Sequence, residues 1–167
     1  NSVGYPVALK SLKPGLVHKS EAGGVALNIP DYRALHQEYE YMSRALGPQV
    51  MVCEMVDTSR GTELILGSRN DPQFGPLVTL GMGGIWVEIM RDLITFLAPV
   101  SPDEVLARLP ELRGYPRLLG ARGVEPVDLP KLARVVAHFS QIAHARRDEV
   151  ATMEINPLLA VGDKFTM

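Results

Sequence analysis

Residues 7–25, VALKSLKPGLVHKSEAGGV, decide how the chain is read. A short apolar strand ends at Lys10, a basic connection follows, and His18-Lys19-Ser20-Glu21-Ala22-Gly23-Gly24 leads into a second strand. Paired glycines beside Ser and Lys let backbone N–H groups approach an anion, since no Cβ intervenes and positive φ is open to them. Lys10 and Lys19 add charge. His18 is a candidate acid, base or nucleophile, with a hydrogen-bonded loop histidine as the plainer alternative. The stretch points to a nucleotide-phosphate site on a strand–loop–strand frame. It lacks GxxxxGK[ST], which excludes a P-loop, and no GxGxxG follows the first strand, which excludes a Rossmann reading.

Outward from that stretch, the whole chain bounds the answer. Its 167 residues, 46% hydrophobic, can bury one good core or two small subdomains sharing an interface. Net charge is -2 with Lys and Arg scattered, so a nucleic-acid partner is not expected. The single cysteine, Cys53, permits no internal disulfide and fits a reducing, cytoplasmic setting. The longest apolar window, residues 77–87, holds three glycines and is too short to span a bilayer, so no membrane partner is expected. Residues 1–4 show neither an initiator Met nor a signal pattern, and residues 162–167 stop without a cap or polar tail. A fragment truncated at both ends is the expectation.

In chain order, residues 5–10 and 24–29 are β-rich, and Asp31 is a good N-cap for a helix. Tyr32, Leu35, Tyr39, Met42 and Leu46 recur at helical spacing as a core-facing stripe, closed by Gly47-Pro48. Residues 49–56 read as a buried strand carrying Glu54. A carboxylate there needs a partner, a ligand or an edge position. Strands follow at 62–68 and 75–80, with a turn at 69–73 and a Gly-rich bend at Gly81, Gly83 and Gly84, which alone is weak evidence. Further strands are expected at 86–90 and 93–99. Ser101-Pro102-Asp103-Glu104 starts a helix that Pro110 should break. Residues 114–126 read as a solvated connector. Asp128 caps a last helix with Leu132, Val135, Val136, Phe139, Ile142 and Ala143 on its apolar face, and His138 and His144 as surface or half-buried positions.

Residues 150–159 form a final strand, in which Glu154 and Asn156 share a face because side chains alternate. Two such oxygen donors suit Mg²⁺, which completes its octahedron with water and substrate phosphates. The spacing is common by chance and gains weight from the phosphate-type loop. The order of elements predicts an α+β fold, not a doubly wound sheet.

PVALK, HKSEAGGVAL, VCEMV, GTELILGSRNDPQFGP, LGMGGIWVE and MEINPLL, in this order, carry a resemblance over nearly the whole chain. The chain resembles the ATP-grasp domain of NDP-forming acyl-CoA synthetases, relatives of the succinyl-CoA synthetase β subunit. The resemblance implies two α+β subdomains with largely antiparallel sheets. Residues 1–56 would be the smaller nucleotide-binding subdomain, and residues 57–167 the larger one with the Mg-binding strand. It implies that ATP, a carboxylic acid and CoA give acyl-CoA, ADP and phosphate by way of phosphohistidine. The CoA-binding and ligase parts would lie in the same polypeptide or a partner subunit, so this chain alone should not turn over.

By the same resemblance, Lys10 would contact ATP phosphates, with Ser20, Gly23 and Gly24 in the loop covering them. Glu54 and the Val56 backbone would sit at the adenine, on the hinge between the subdomains. Glu63 would take the ribose hydroxyls, Glu154 and Asn156 the Mg²⁺, and His18 the transferred phosphoryl group. Arg69 would either meet a phosphate or pair with Asp71 or Glu88. Two departures stand out: no helix precedes PVALK, and the further metal-binding carboxylate expected one strand after EINPLL has only Asp163, in the intervening turn, as a poor substitute. Two other readings remain. One is a catalytically silent, synthetase-like regulatory domain of a protein acyltransferase; the other, weaker one is a carboxylate–amine ligase, which has no use for a phosphorylated His18.

Overall fold

All strand pairs among the described residues are antiparallel and fall into two separate sheets. The computed structural model describes residues 3–16, 19–55, 61–84 and 91–167. The chain divides into two units, Asn1–Val56 and Asp57–Met167. This is the α+β arrangement expected from the sequence.

The first unit holds β1 (Val7–Ser11), β2 (Val25–Ile29), α1 (Tyr32–Leu46) and β3 (Val50–Glu54), with sheet order β2-β1-β3. Asp31 caps α1 by accepting the Ala34 N–H at 2.9 Å, which satisfies one of the donors that a helix start leaves unpaired. Gly47, at φ 100°, ends the helix while its N–H bonds the Ser43 carbonyl. Val7, Leu9, Ile29 and Met42 make the core, with Leu35, Tyr39, Leu46 and Val50 packed against it.

Two expectations fail here. Tyr32, the first residue of α1, is 71% exposed and leans on His36 instead of the core. β3 is an edge strand with Met51 and Val52 exposed, not a buried one. An apolar run alone does not separate these cases.

The second unit holds β4 (Thr62–Asp71), β5 (Gly75–Met82), β6 (Leu93–Leu97), α2 (Pro102–Arg108), α3 (Tyr115–Leu118), α4 (Leu129–Ala145), β7 (Thr152–Val161) and β8 (Lys164–Thr166). The sheet order is β6-β5-β4-β7-β8. β4, β5 and β6 form the expected meander, and β7 returns to the free side of β4. Helices α2 and α4 cover one face of this sheet. Leu64, Leu66, Val78, Leu80, Ile94, Phe96 and Leu158 meet Val105, Leu132, Val136 and Phe139 there. Ser101 and Asp128 cap these helices as their sequence signals indicate, accepting from Glu104 N–H at 3.2 Å and Lys131 N–H at 2.8 Å.

Corrections in this unit follow from packing. β4 runs on through Arg69, Asn70 and Asp71, which read as a turn because this strand end is exposed and polar. The turn is Pro72–Phe74, closed by Asp71 Oδ1 accepting from Gln73 and Phe74 N–H at 2.9 and 3.2 Å. Ile142 is 41% exposed, and α4 buries Ala137 and Ser140 instead. Ser140 can be buried because its hydroxyl donates to the Ala137 carbonyl and accepts the Val100 N–H. α2 already ends at Arg108, and Pro110 lies in a following 3-10 turn, Leu109–Glu111. Residues 114–126 are no solvated connector: α3 and a 3-10 turn, Ala121–Gly123, bury Leu118 and Val124. The strand expected at 86–90 lies outside the described residues. No helix among the described residues is long and apolar enough to cross a membrane.

Candidate functional site

Lys10 stands on the central strand β1, half-buried, opposite Val25 on β2 and Met51 on β3. Opposed residues of an antiparallel pair share a face. Lys10 therefore lies with Ala8, Met51 and Cys53 on the face away from α1. Glu54 is opposite Val7, a residue of the α1-side core, so its exposed side chain belongs to the other face. Register thus separates the Lys10 amine from the Glu54 carboxylate. What β3 can offer the Lys10 face at Glu54 is backbone.

The loop that follows β1 is closed by its own hydrogen bonds. Gly24 N–H donates to the Lys19 carbonyl at 2.7 Å and Gly23 N–H to Ser20 at 3.3 Å, while Ser11 N–H reaches the Gly24 carbonyl at 2.8 Å. Both glycine N–H groups are therefore used within the loop in this structure, where the glycines set its shape. Gly23 sits at φ 68°, and a Cβ on Gly24 would come within 2.9 Å of the Leu16 side chain. Lys19 and Ser20 are exposed. His18 and Val56 lie outside the described residues.

In the second unit the register brings four candidate residues together. Glu63 and Arg69 project from β4 on the face away from α2 and α4, since Leu64 and Leu66 hold the face those helices cover. Glu154 is opposite Gly67, between those two, and so shares their face. Asn156 joins it: its Nδ2 donates to Glu154 Oε1 at 3.0 Å. The pairing of β4 with β7 shifts between Leu64 and Leu66, where Asn156 and Pro157 are opposed by one residue of β4. Gly67, having no side chain, leaves space in front of the Glu154 carboxylate.

Arg69 is 70% exposed and pairs with Asp71 at 3.8 Å. Its expected alternative partner, Glu88, lies outside the described residues. The Asp71 carboxyl is held below its ordinary value by the N–H groups of Gln73 and Phe74, and further by the Arg69 charge. Glu63 is half-buried against the Gly-rich bend, where Gly83 N–H donates to the Glu63 carbonyl at 2.6 Å. A Cβ on Gly83 would fall 2.8 Å from the Glu63 carbonyl carbon. The bend is therefore a close backbone approach that fixes Glu63, which the sequence reading undervalued. Only the GxGG spacing signalled it.

Glu154 and Asn156 fit Mg²⁺ in chemistry: both are exposed, adjacent and offer hard oxygen donors. Among the described residues no group of three or more His, Cys, Asp or Glu side chains could hold a metal. Asp163 lies in the β7–β8 turn, 3.7 Å from Lys131. The pair thus suits an ion whose coordination is completed by water and phosphate oxygens.

The sequence pattern of the ATP-grasp domain matches residues 1–167. The chain is 36% identical over 169 residues to the acetate–CoA ligase [ADP-forming] I subunit beta of Pyrococcus furiosus, covering 96% of this chain and 72% of that subunit. It is 37% identical over 164 residues to the acetate–CoA ligase [ADP-forming] I of Archaeoglobus fulgidus, covering 94% of this chain but 24% of that protein. Its backbone follows the dinucleotide-forming acetyl-coenzyme A synthetase 1 of Ca. Korarchaeum cryptofilum at a TM-score of 0.85 and 34% identity, over 97% of this chain and 73% of that one. That protein was solved with coenzyme A and Mg-AMPPCP, its phosphohistidine segment pointing towards the nucleotide binding site.

Proposed function

We infer, from the premise that this chain belongs to the ATP-grasp family, in the branch of the ADP-forming acetate–CoA ligases, that it is the ATP-binding, phosphoryl-transferring part of an acid–CoA ligase. The reaction is ATP, a carboxylic acid and CoA giving acyl-CoA, ADP and phosphate. The observation that carries the reading is the gathering of Glu63, Glu154 and Asn156 on the face of the five-stranded sheet away from α2 and α4.

Lys10 neutralises phosphate charge from its strand, and the loop holding Ser20, Gly23 and Gly24 shapes the cover over the phosphates. Glu54 and Val56 meet the adenine through backbone groups, since the Glu54 side chain faces away from Lys10. Glu63, fixed by Gly83, accepts from the ribose hydroxyls. Arg69 stays with Asp71 in the absence of nucleotide, and its exposed guanidinium can turn to a phosphate. Mg²⁺ held by Glu154 and Asn156 would supply charge neutralisation at the phosphate oxygens. His18 takes the γ-phosphoryl group: an N–P bond forms as the P–O bond to ADP breaks. The group then passes to CoA-binding and ligase parts in the same polypeptide or a partner subunit. A neutral imidazole is a competent nucleophile near neutral pH. The named relatives are ligases, which does not favour a silent regulatory domain.

The test is turnover of the full-length protein with ATP, acetate or a related acid, and CoA, read as ADP and phosphate release. His18→Gln should abolish turnover and leave MgATP binding within threefold. Full activity in that variant would return the carboxylate–amine ligase reading.

A further inference from the structure

We propose that the second unit carries a separate site for a phosphate dianion, in the cleft lined by Arg113, Arg117 and Arg122. The cleft has a volume of about 320 Å³ and is floored by Met82, at the end of β5. Its residues share nothing with the set assigned to nucleotide and metal, so it stands apart from that reading.

Charge is the first argument. Three arginines line the cleft with one acidic residue, Asp92. Asp92 is already engaged: its two oxygens accept the Arg113 and Gly114 N–H groups, each at 2.7 Å. It holds the loop in place through these backbone groups and not through an arginine side chain. Among the described residues no acidic side chain forms an ion pair with Arg113, Arg117 or Arg122. Arg117 is oriented by donating to the Gly61 carbonyl at 3.2 Å. Like charges gathered in one cleft repel, and an anion between them relieves that repulsion.

Backbone conformation is the second argument. Arg122 lies in the left-handed region, φ 61° and ψ 31°, between Gly120 at φ 94° and Gly123 at φ 79°. Glycine would take this conformation without strain, and a side chain there is strained. Buried Leu118 and Val124 on either side hold the turn in shape. The chain keeps an arginine where a glycine would be more comfortable, as strained positions at ligand sites do. Gly114 shows the opposite demand: a Cβ there would lie 2.6 Å from Met82 Cγ, so the loop can close on the floor only with glycine.

Chemistry selects the ligand class. Planar guanidinium forks match phosphate oxygens bidentately, and two or more of them suit a dianion better than a carboxylate. Met82 gives the cleft one apolar wall, beside which a charge-assisted contact is stronger than in open water. The occupant inferred is free phosphate or the phosphate end of a small ester.

Inorganic phosphate titrated into the full-length protein, followed by calorimetry, tests this. Saturable binding in the millimolar range is expected, with acetate failing to compete. Arg122→Gly should weaken it at least tenfold while melting at or above the parent temperature, because the substitution relieves backbone strain. Lys10→Ala should leave phosphate affinity unchanged, which separates this site from the nucleotide reading. Should Arg122→Gly melt several degrees lower, Arg113→Gln carries the test and is expected to weaken binding at least fivefold. Unchanged phosphate affinity in the deciding variant, or equal competition by acetate, overturns the proposal.

Discussion

The two units are built alike, each an antiparallel sheet with one face under helix and the other free, yet they present their candidate residues differently. In the five-stranded sheet, Glu63, Arg69, Glu154 and Asn156 share the free face. In the three-stranded sheet, Lys10 is on the free face and the Glu54 side chain on the helical one. Both residues came from strands that looked equally promising in sequence. Strand register, not proximity in a motif, decides which side chains can share a ligand.

Four variants would break or sharpen that comparison. Leu66→Ala, under α2 and α4, should lower stability by about 2–5 kcal/mol in chemical denaturation, since it opens a cavity where the sheet meets its helices. A loss below about 1 kcal/mol would mean that this core does not anchor the free face. Glu154→Gln should weaken MgATP binding at least tenfold, roughly 1.4 kcal/mol. Asp31→Ala, removing the α1 cap, should lower stability by about 1 kcal/mol and leave the second unit's melting untouched. Glu54→Gln should change MgATP affinity less than threefold. An effect as large as that of Glu154→Gln would refute the face assignment.

A fifth outcome concerns pH. The Asp71 carboxyl is depressed by the Gln73 and Phe74 N–H groups, then by Arg69. The folded state thus holds this group ionised more readily than the unfolded chain does. Its contribution is complete above the ordinary carboxylate value and is lost as pH falls below it through the depressed value. Asp71→Asn should flatten the acid side of the stability profile, measured by melting across pH 2–7, by lowering stability near neutral pH while leaving pH 2 nearly unchanged.

Much of the fold was legible because its signals are local. Asp31, Ser101 and Asp128 cap helices by chemistry that does not depend on tertiary context. The α+β order and the β4–β6 meander followed from turn residues and apolar runs. Exposure was not legible. Nothing within residues 50–54 says that β3 is an edge, and nothing near Tyr32 says that the start of α1 is exposed. Glu154 and Asn156 were readable from period-two alternation and do share a face. The division between Lys10 and Glu54 was not, because it depends on pairing across strands forty residues apart. The arginine cleft was missed for a similar reason: Gly, Pro and Arg between residues 114 and 126 read as solvated chain until the burial of Leu118 and Val124 is known.

The central claim, that this chain binds MgATP and that Lys10 takes part in holding it, has a direct test. MgATP is titrated into the full-length protein and its Lys10→Ala variant by calorimetry. The account predicts saturable one-to-one binding in the parent, weakened at least thirtyfold by the substitution with the melting temperature of the second unit unchanged. Equal affinity in the two proteins, or no binding at millimolar MgATP, would contradict it.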